Sequence, residues 1–243
     1  MSCNILLVGG SGGVPKIWGH FKGAQIFSAD GYWKKDRLNF CLKKKPIVIK
    51  KFFSSSSRIR KFFIYKNNYL SSFHRFSAIK NNRYSIQDFK ICGIKKINPT
   101  TIDSFAREKN LTFHALDIDC QGHALEVLKG ANASLKKILL VKCEIDFLEL
   151  YKNCASAGSV LDYMRKKGFR LLRTYACGNR NFPYSFDTAK HGASRSDGFI
   201  AWMDCIFLRD PYIIKKESNE IRQHYKTFCS VLNAPSICKT YGI

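Results

Sequence analysis

The feature that most constrains the fold is the alternation of short apolar runs with segments of helical periodicity. The apolar runs have the length of β-strands and lie at residues 4–9, 24–30, 47–53, 114–119, 138–145, 170–175 and 199–209. Segments such as residues 159–169 separate them and place apolar side chains at helical spacing. This order is typical of an α/β fold. It predicts a seven-stranded, mostly parallel sheet with helices on both faces.

The chain also has the length and continuity expected of one domain. Its 243 residues are enough for a single α/β unit with a substantial core, and no internal repeat or long linker interrupts the pattern. We therefore expect one domain over residues 1–243. Within it we predict an insertion of short strands and loops at about 54–99 and an amphipathic C-terminal helix at about 212–232.

The charge balance is strongly basic. Lysines and arginines number 41 against 18 acidic residues, for a net charge of +23, and the first half carries clusters such as Lys43–Lys45 and Arg58–Lys61. Such a surface attracts polyanions, including nucleic acids. Because the lysines are spread over several predicted elements, we favour solvated side chains, and a nucleic acid or phosphorylated glycan partner stays open as the alternative.

The cysteines and histidines do not cluster. Ten cysteines are scattered without a C-x-x-C pair, so we predict reduced, mostly buried thiols and no structural metal site. Asp117 and Asp119 are the one carboxylate pair suited to a weak Mg²⁺ site. No signal peptide and no apolar run long enough to span a bilayer is evident, so we expect a cytoplasmic protein without a membrane span.

A glycine-rich turn follows the first predicted strand. It consists of Gly9, Gly10, Ser11, Gly12 and Gly13. Glycine backbones adopt positive φ and approach a ligand closely, and a following helix offers free N–H groups. Asp30, at the end of the second predicted strand, is placed to bind ribose hydroxyls. The spacing leaves an S-adenosylmethionine site, a nicotinamide site and a simple tight turn open, although the G-x-G-x-x-G pattern of the nicotinamide site is absent.

Two strand ends supply the candidate catalytic acids. Asp119 ends the fourth predicted strand at the edge where open parallel sheets bind ligands, so we expect it to accept a proton or orient a substrate. Glu144, near the end of the fifth strand, is the second candidate base. The alternatives are that Asp119 caps the next helix and that Glu144 is a solvated acid. His123 is expected on the protein surface, and Asp204 is expected to be structural.

Several motifs resemble those of the FkbM family of methyltransferases. "LDIDCQGHALEVLKGA" at residues 116–131 is similar to the family hallmark, roughly "lKiDvEGaElevLkGa". "TTIDSF" at 100–105, "RKKGFRLL" at 165–172 and "WMDCIFLRDP" at 202–211 resemble further family segments in the family order. The resemblance implies a class I methyltransferase, Rossmann-like fold and S-adenosyl-L-methionine as methyl donor. It also implies a hydroxyl on a glycan or secondary metabolite as acceptor.

The chain departs from the family pattern at four positions. Leu7 stands where the family has an acid, Asp117 where it has Lys, and Gln121 and Ala124 where it has Glu. Gln121 can still bind a cofactor through its amide, although it cannot act as a base. Fewer acids predict a weakened cofactor pocket. The alternative function is therefore a degenerate methyltransferase-fold protein that binds an anionic partner through its basic first half.

Overall fold

A computed structural model describes residues 3–10, 13–32, 45–77, 86–180 and 199–243. The strands are β1 (Asn4–Val8), β2 (Gln25–Ala29), β3 (Ile47–Ile49), β4 (Arg60–Tyr65), β5 (Ile91–Ile97), β6 (Ala115–Ile118), β7 (Leu140–Asp146), β8 (Phe169–Arg180) and β9 (Phe199–Arg209). The helices are α1 (Lys16–Gly19), α2 (Ile102–Glu108), α3 (Ala124–Gly130), α4 (Ala157–Lys166), α5 (Pro211–Ile214), α6 (Asn219–Val231) and α7 (Pro235–Tyr241).

Seven of the strands form one sheet in the order β3-β2-β1-β6-β7-β9-β8. Neighbouring strands are parallel from β3 to β7, whereas β9 is antiparallel to both β7 and β8. This arrangement confirms the predicted seven-stranded, mostly parallel sheet. The two remaining strands, β4 and β5, form a separate antiparallel pair inside the predicted insertion.

Alternation of side chains along the central strands builds a core on each face of the sheet. Leu6 and Val8 of β1 pack on one face in a core shared with α2, α3 and α4. Ile5 and Leu7 point to the opposite face and join a core that includes Trp18 of α1 and residues of α5, α6 and α7. The prediction of helices on both faces is therefore confirmed. None of the described helices is both long and apolar enough to cross a bilayer.

Several local predictions need correction. The helical spacing of Leu125 and Leu128 predicts a helix that ends at a left-handed Gly130, but its φ is not positive and it belongs to α3. It is glycine for a different reason, because a Cβ there would come within 2.0 Å of the Ser54 carbonyl oxygen. The segment after the glycine turn predicts a short helix around residues 16–22, and α1 has only four residues; the strand predicted over 47–53 ends at Ile49. The single helix predicted at about 212–232 is divided into α5 and α6, and Ser218 caps the start of α6.

The eight cysteines whose side chains the structure describes are free thiols, and half of them are buried. Cys143, Cys205, Cys229 and Cys238 are buried, free thiols. Cys92 is free as well, but it is exposed on β5. Burial in an apolar core explains why these thiols need no disulfide or metal partner.

Gly9 is the residue on which the approach of two central strands depends. Its φ is +87°, and a Cβ there would lie 1.6 Å from the carbonyl oxygen of Asp119. Gly23 has a similar φ of +79°, but a Cβ there would meet nothing within 4 Å. The two glycines therefore share backbone strain and differ in steric contact.

This difference gives a stability prediction. We expect Gly23→Ala to lower the free energy of unfolding by about 1–2 kcal/mol, the cost of a left-handed backbone alone. Gly9→Ala adds a backbone clash, so we expect a loss of about 2–5 kcal/mol. Urea denaturation followed by circular dichroism measures both. Equal losses of stability in the two variants would show that the backbone at Gly9, after β1, is not in close contact with Asp119, after β6.

Candidate functional site

The carboxyl ends of four neighbouring strands are joined by backbone hydrogen bonds. The Gly9 amide donates to the Ala29 carbonyl at 2.9 Å, and the Asp119 amide donates to the Val8 carbonyl at 2.9 Å. The Asp30 amide donates to the Ile49 carbonyl at 3.0 Å. The chain segments that leave β1, β2 and β6 therefore begin side by side, at the edge where open α/β sheets bind ligands.

A cavity of about 200 Å³ lies beside the glycine turn at this edge. Its lining includes the end of β1, the described glycines of the turn and the start of the segment leading into α1. Three charged side chains complete it: Asp117, Asp119 and Lys142. The cavity thus combines exposed backbone with both signs of charge, a surface suited to a small polar ligand.

A buried network of charges holds one wall of this cavity. The Trp18 indole Nε1 donates to Asp117 Oδ2 at 2.5 Å. The Lys142 Nζ lies 3.3 Å from Asp117 Oδ1 and 3.1 Å from Asp204 Oδ2. Burial lowers the pKa of Lys142, but the carboxylates of Asp117 and Asp204 outweigh it, so the net shift is upward and the ammonium stays charged. The contact with Lys142 gives Asp204 a structural role, as predicted.

The network also explains two departures from the family pattern. Leu7 of β1 lies directly opposite Asp117 of β6, which lies opposite Lys142 of β7. The family has an acid and a Lys at the first two of these positions, whereas here the acid and the Lys each lie one strand further along. We expected Leu7 to remove negative charge from the cavity, but Asp117 lines the same cavity and supplies a carboxylate there.

Gln121 connects the two predicted catalytic acids. Its Nε2 donates to Asp119 Oδ1 at 2.8 Å and to Glu144 Oε1 at 3.4 Å. The Tyr151 hydroxyl lies 3.0 Å from Gln121 Oε1. The Gln121 backbone has φ 50°, and its carbonyl accepts a hydrogen bond from Ser72 Oγ at 2.6 Å. The amide is thus held on both sides between the carboxyl groups.

The pKa values of both acids lie above that of a free carboxyl. Asp119 is exposed to solvent on one side, but desolvation by the surrounding cleft raises its pKa to about 6, with Lys142 opposing the shift and Asp204 adding to it. Burial, followed by the charge of Asp119, raises the pKa of Glu144 well above its usual value. Asp119 accepts the shorter hydrogen bond from Gln121, which stabilises its anion. Asp119 is therefore the better base of the two near neutral pH.

The other predicted cofactor residues differ in their placement. Asp30 Oδ1 accepts a hydrogen bond from the Tyr32 amide at 2.7 Å, the local bond to the amide two residues on that Asp often makes in turns, and the Asp30 side chain is not part of the cavity lining described above. Ser28 is fully buried, and its Oγ lies 3.4 Å from the Gly10 carbonyl. Ser11 and Gly12 lie outside the described residues. Within the parts of the chain that the structure describes, no group of three or more His, Cys, Asp or Glu side chains is arranged to hold a metal ion.

Sequence reasoning missed Lys142 and Trp18. A lysine inside the apolar run "ILLVKCEI" was a signal, because a charge in a buried strand requires a partner. Trp18 gave no comparable signal, since an aromatic residue in a helical segment is usually core. Asp119 does not cap the next helix: α3 has His123 at its N-cap position and no side-chain capping bond.

His123 is buried, so the prediction that it lies on the surface is wrong. Only 1% of the residue is exposed. Its Nε2 lies 3.0 Å from Ser54 Oγ, and its Nδ1 lies 3.0 Å from His74 Nε2. His74 Nδ1 in turn lies 3.2 Å from the carbonyl oxygen of Lys152. These hydrogen bonds connect the turn between β6 and α3, which contains His123, to two segments of the predicted insertion, at Ser54 and His74.

The protonation states of His123 and His74 follow from the hydrogen bond between His74 and the Lys152 carbonyl oxygen. A carbonyl oxygen only accepts, so His74 Nδ1 carries a proton and its Nε2 accepts from His123 Nδ1. His123 Nε2 then accepts from the Ser54 hydroxyl. Both rings are neutral in this arrangement. Burial, together with the neighbouring His74 and Arg60, lowers the pKa of His123 to about 3.

A buried neutral histidine makes stability depend on pH. Between about pH 6.5 and pH 3 the unfolded chain binds a proton at His123 that the folded chain does not bind, so stability falls as the pH falls through this range. The loss attributable to His123 is on the order of 4 kcal/mol at the acid end. We expect His123→Gln, which keeps a donor and an acceptor but does not titrate, to flatten this part of the pH profile.

Urea denaturation at a series of pH values measures the effect. The exposed His20 provides the control, and His20→Gln should leave the profile as steep as in the parent chain. If the parent chain and His123→Gln lost stability in parallel below pH 6.5, His123 would not be a buried neutral group.

Comparison with known proteins identifies part of the chain. No curated protein matches the sequence. A family model does match, and it covers β4, β5 and the hallmark turn with Asp119, Gln121 and His123, whereas the glycine turn lies before it. The match supports a methyltransferase and confirms the resemblance for the central part of the chain. Residues 54–171 match the model of the methyltransferase FkbM domain.

Proposed function

We propose that this chain is an S-adenosyl-L-methionine-dependent methyltransferase that methylates a hydroxyl on a glycan or secondary metabolite. The observation that carries the proposal is the cavity between the glycine turn and Asp119, at the carboxyl edge of β1 and β6. The FkbM domain match supports methyl transfer in general. The donor, the acceptor class and the roles of individual residues are our inference.

The residues at this cavity fit a cationic nucleoside donor. At Gly10 a Cβ would lie 2.0 Å from Ser28 Oγ, and at Gly9 it would meet the Asp119 carbonyl, so only glycines leave the turn open beside the sheet. Gly9, Gly10 and Gly13 would hold the donor by backbone contact, together with Ser11 and Gly12 of the same turn and with Asp30 toward the ribose. Asp119 and Gln121 would face its charged end. When bound, the donor supplies an electrophilic methyl group.

Asp119 is the residue that we assign to proton transfer. Its Oδ1 is engaged by Gln121, while Oδ2 has no hydrogen-bond partner among the described residues, which leaves that oxygen available for an acceptor hydroxyl. A pKa of about 6 keeps the carboxyl ionised at neutral pH and basic enough to take up a proton. Glu144 holds its own proton more firmly and acts through the shared Gln121 amide as the second carboxyl of the site.

Positioning outweighs base catalysis in this scheme. Orientation of two reactants lowers the barrier by about 7–11 kcal/mol. A general base raises the rate about 10²- to 10⁴-fold, which corresponds to about 3–5 kcal/mol. The Gln121 amide and the Tyr151 hydroxyl would orient Asp119. The substitution of Gln121 for the family Glu therefore alters the charge of the site while keeping a residue that positions the base.

Donor binding tests the role of Asp119. We expect Asp119→Asn to weaken S-adenosylmethionine binding about 10- to 100-fold, because a charge-assisted hydrogen bond contributes about 1.5–3 kcal/mol. Asp162→Asn, which removes an exposed acid on α4, should leave the affinity unchanged. Titration calorimetry measures all three proteins. Unchanged affinity in Asp119→Asn would remove this residue from the donor site.

The pH dependence of donor binding separates the effect of the Asp119 charge from the effect of its side-chain shape. As the pH falls from 7 through about 6, Asp119 becomes protonated and donor affinity should fall. Over this range the amine of the donor stays protonated, so the change comes from the protein. Asp119→Asn should show no such dependence, and a dependence as steep as in the parent chain would assign it to another group.

The acceptor class is tested by the product. Incubation with methyl-labelled donor and separate glycan, small-metabolite and nucleic acid extracts should label the glycan or metabolite pool. The linkage should resist alkali, as expected of an ether and not of an ester. Donor binding without transfer to any pool, combined with retention of nucleic acid, would favour the degenerate, anion-binding alternative.

A further inference from the structure

The β4–β5 pair presents cations and exposed aliphatic side chains on one face. Lys61 of β4 lies directly opposite Lys96 of β5, and Phe63 lies opposite Ile94. Because side chains alternate along a strand, Lys61, Phe63, Ile94 and Lys96 point to the same side. Both lysines are exposed, and Ile94 is 50% exposed.

Two further residues extend this face. Ile59 lies two residues before Lys61 and is 63% exposed, the highest exposure among the large apolar residues described. Arg75 is exposed, and its guanidinium carbon lies 5.6 Å from the centroid of the Phe63 ring. We refer to Ile59, Lys61, Arg75, Ile94 and Lys96 together as the β4–β5 face.

The two opposed lysines form an arrangement that an external anion would stabilise. Like charges directly opposite each other on paired strands destabilise the pair. Among the described residues, no acid lies within ion-pair distance of Lys61 or Lys96. Lysines also protect edge strands from aggregation, but that function does not require an opposed pair, and exposed isoleucines work against it. An external anion would relieve the repulsion.

The isoleucines decide which polyanion fits. Proteins hold single-stranded nucleic acids with cations and with aromatic rings that stack on bases. Isoleucine has no ring and no hydrogen-bonding group, so Ile59 and Ile94 contribute nothing to that kind of recognition. At a membrane surface, aliphatic side chains enter the boundary between headgroups and acyl chains while lysine and arginine contact anionic headgroups.

We propose that the β4–β5 face binds the surface of an anionic lipid membrane. Ile59 and Ile94 enter the acyl boundary, and Lys61, Arg75 and Lys96 contact the headgroups. The net charge of +23 adds long-range attraction to such a surface. This binding is peripheral and does not depend on the methyl donor or on the function proposed above.

Vesicle sedimentation of the full chain tests the proposal. We expect binding to phosphatidylcholine vesicles that contain phosphatidylserine, little binding to pure phosphatidylcholine, and weaker binding at high salt. Lys61→Glu with Lys96→Glu should weaken binding about tenfold or more. Ile59→Ser with Ile94→Ser should also weaken it several-fold, although this variant keeps every charge.

A matched charge reversal provides the control. Lys215 and Lys216 are exposed after α5, and Lys215→Glu with Lys216→Glu changes the net charge by the same amount. This variant should bind nearly as well as the parent chain, and circular dichroism should show that all variants remain folded. Equal losses in both lysine variants, no effect of the isoleucine changes, or equal binding to neutral vesicles would each overturn the proposal. Preferential binding of RNA that is insensitive to Ile59 and Ile94 would overturn it as well.

Discussion

The buried contact between Lys142 and Asp117 is the interaction on which the site depends. It lies on neighbouring strands in the middle of the sheet, and Trp18 adds a hydrogen bond to the same carboxylate from α1. Because α1 has only four residues, it has little helical stability of its own. The contacts of Trp18 in the core and with Asp117 therefore anchor the segment after the glycine turn. Loss of either charge would leave the other buried and unpaired, at a cost of about 3–5 kcal/mol.

The same network gives a physical reading of the unusual residues near the first strand. Taken singly, Leu7 and Asp117 look like losses of function relative to the FkbM pattern. In register they are neighbours, and in this chain Asp117 pairs with Lys142 on the next strand. Gln121 is a second substitution of this kind, since it replaces a charge with an amide that contacts both Asp119 and Glu144. Each of these substitutions therefore retains polar contacts at the site through a neighbouring side chain.

Much of the fold could be predicted because the strands of the main sheet are largely buried and therefore appear in the sequence as apolar runs. β1, β2, β7 and β9 lie within or close to their predicted limits for this reason. β3 is shorter than its apolar run, since Phe53 packs in the core without joining the sheet. β4 and β5 were expected only as short strands within the insertion at about 54–99, and their separate antiparallel pairing was not predicted, because β5 carries lysines and exposed isoleucines without a clear alternation.

The site was predictable where topology alone brings residues together. Asp119 and the glycine turn follow adjacent parallel strands, so their proximity follows from the strand order. His123 could not be placed in this way, because its burial depends on Ser54 and His74, which are distant in sequence. The placement of Asp30 was predicted correctly, but the contact of its side chain was not. It occupies the predicted strand end, but its side chain accepts from the Tyr32 amide, the local turn bond that competes with ligand binding for an Asp at such a position.

The most direct measurement of the central claim is a crystal structure with S-adenosylhomocysteine. The account predicts that the nucleoside lies between the turn at Gly9–Gly13 and the end of β6, with the Asp119 carboxylate within hydrogen-bonding distance of the ligand or one water away. It also predicts that Lys142 stays paired with Asp117. A ligand bound elsewhere, or a cleft that closes on its own side chains at saturating ligand, would contradict it.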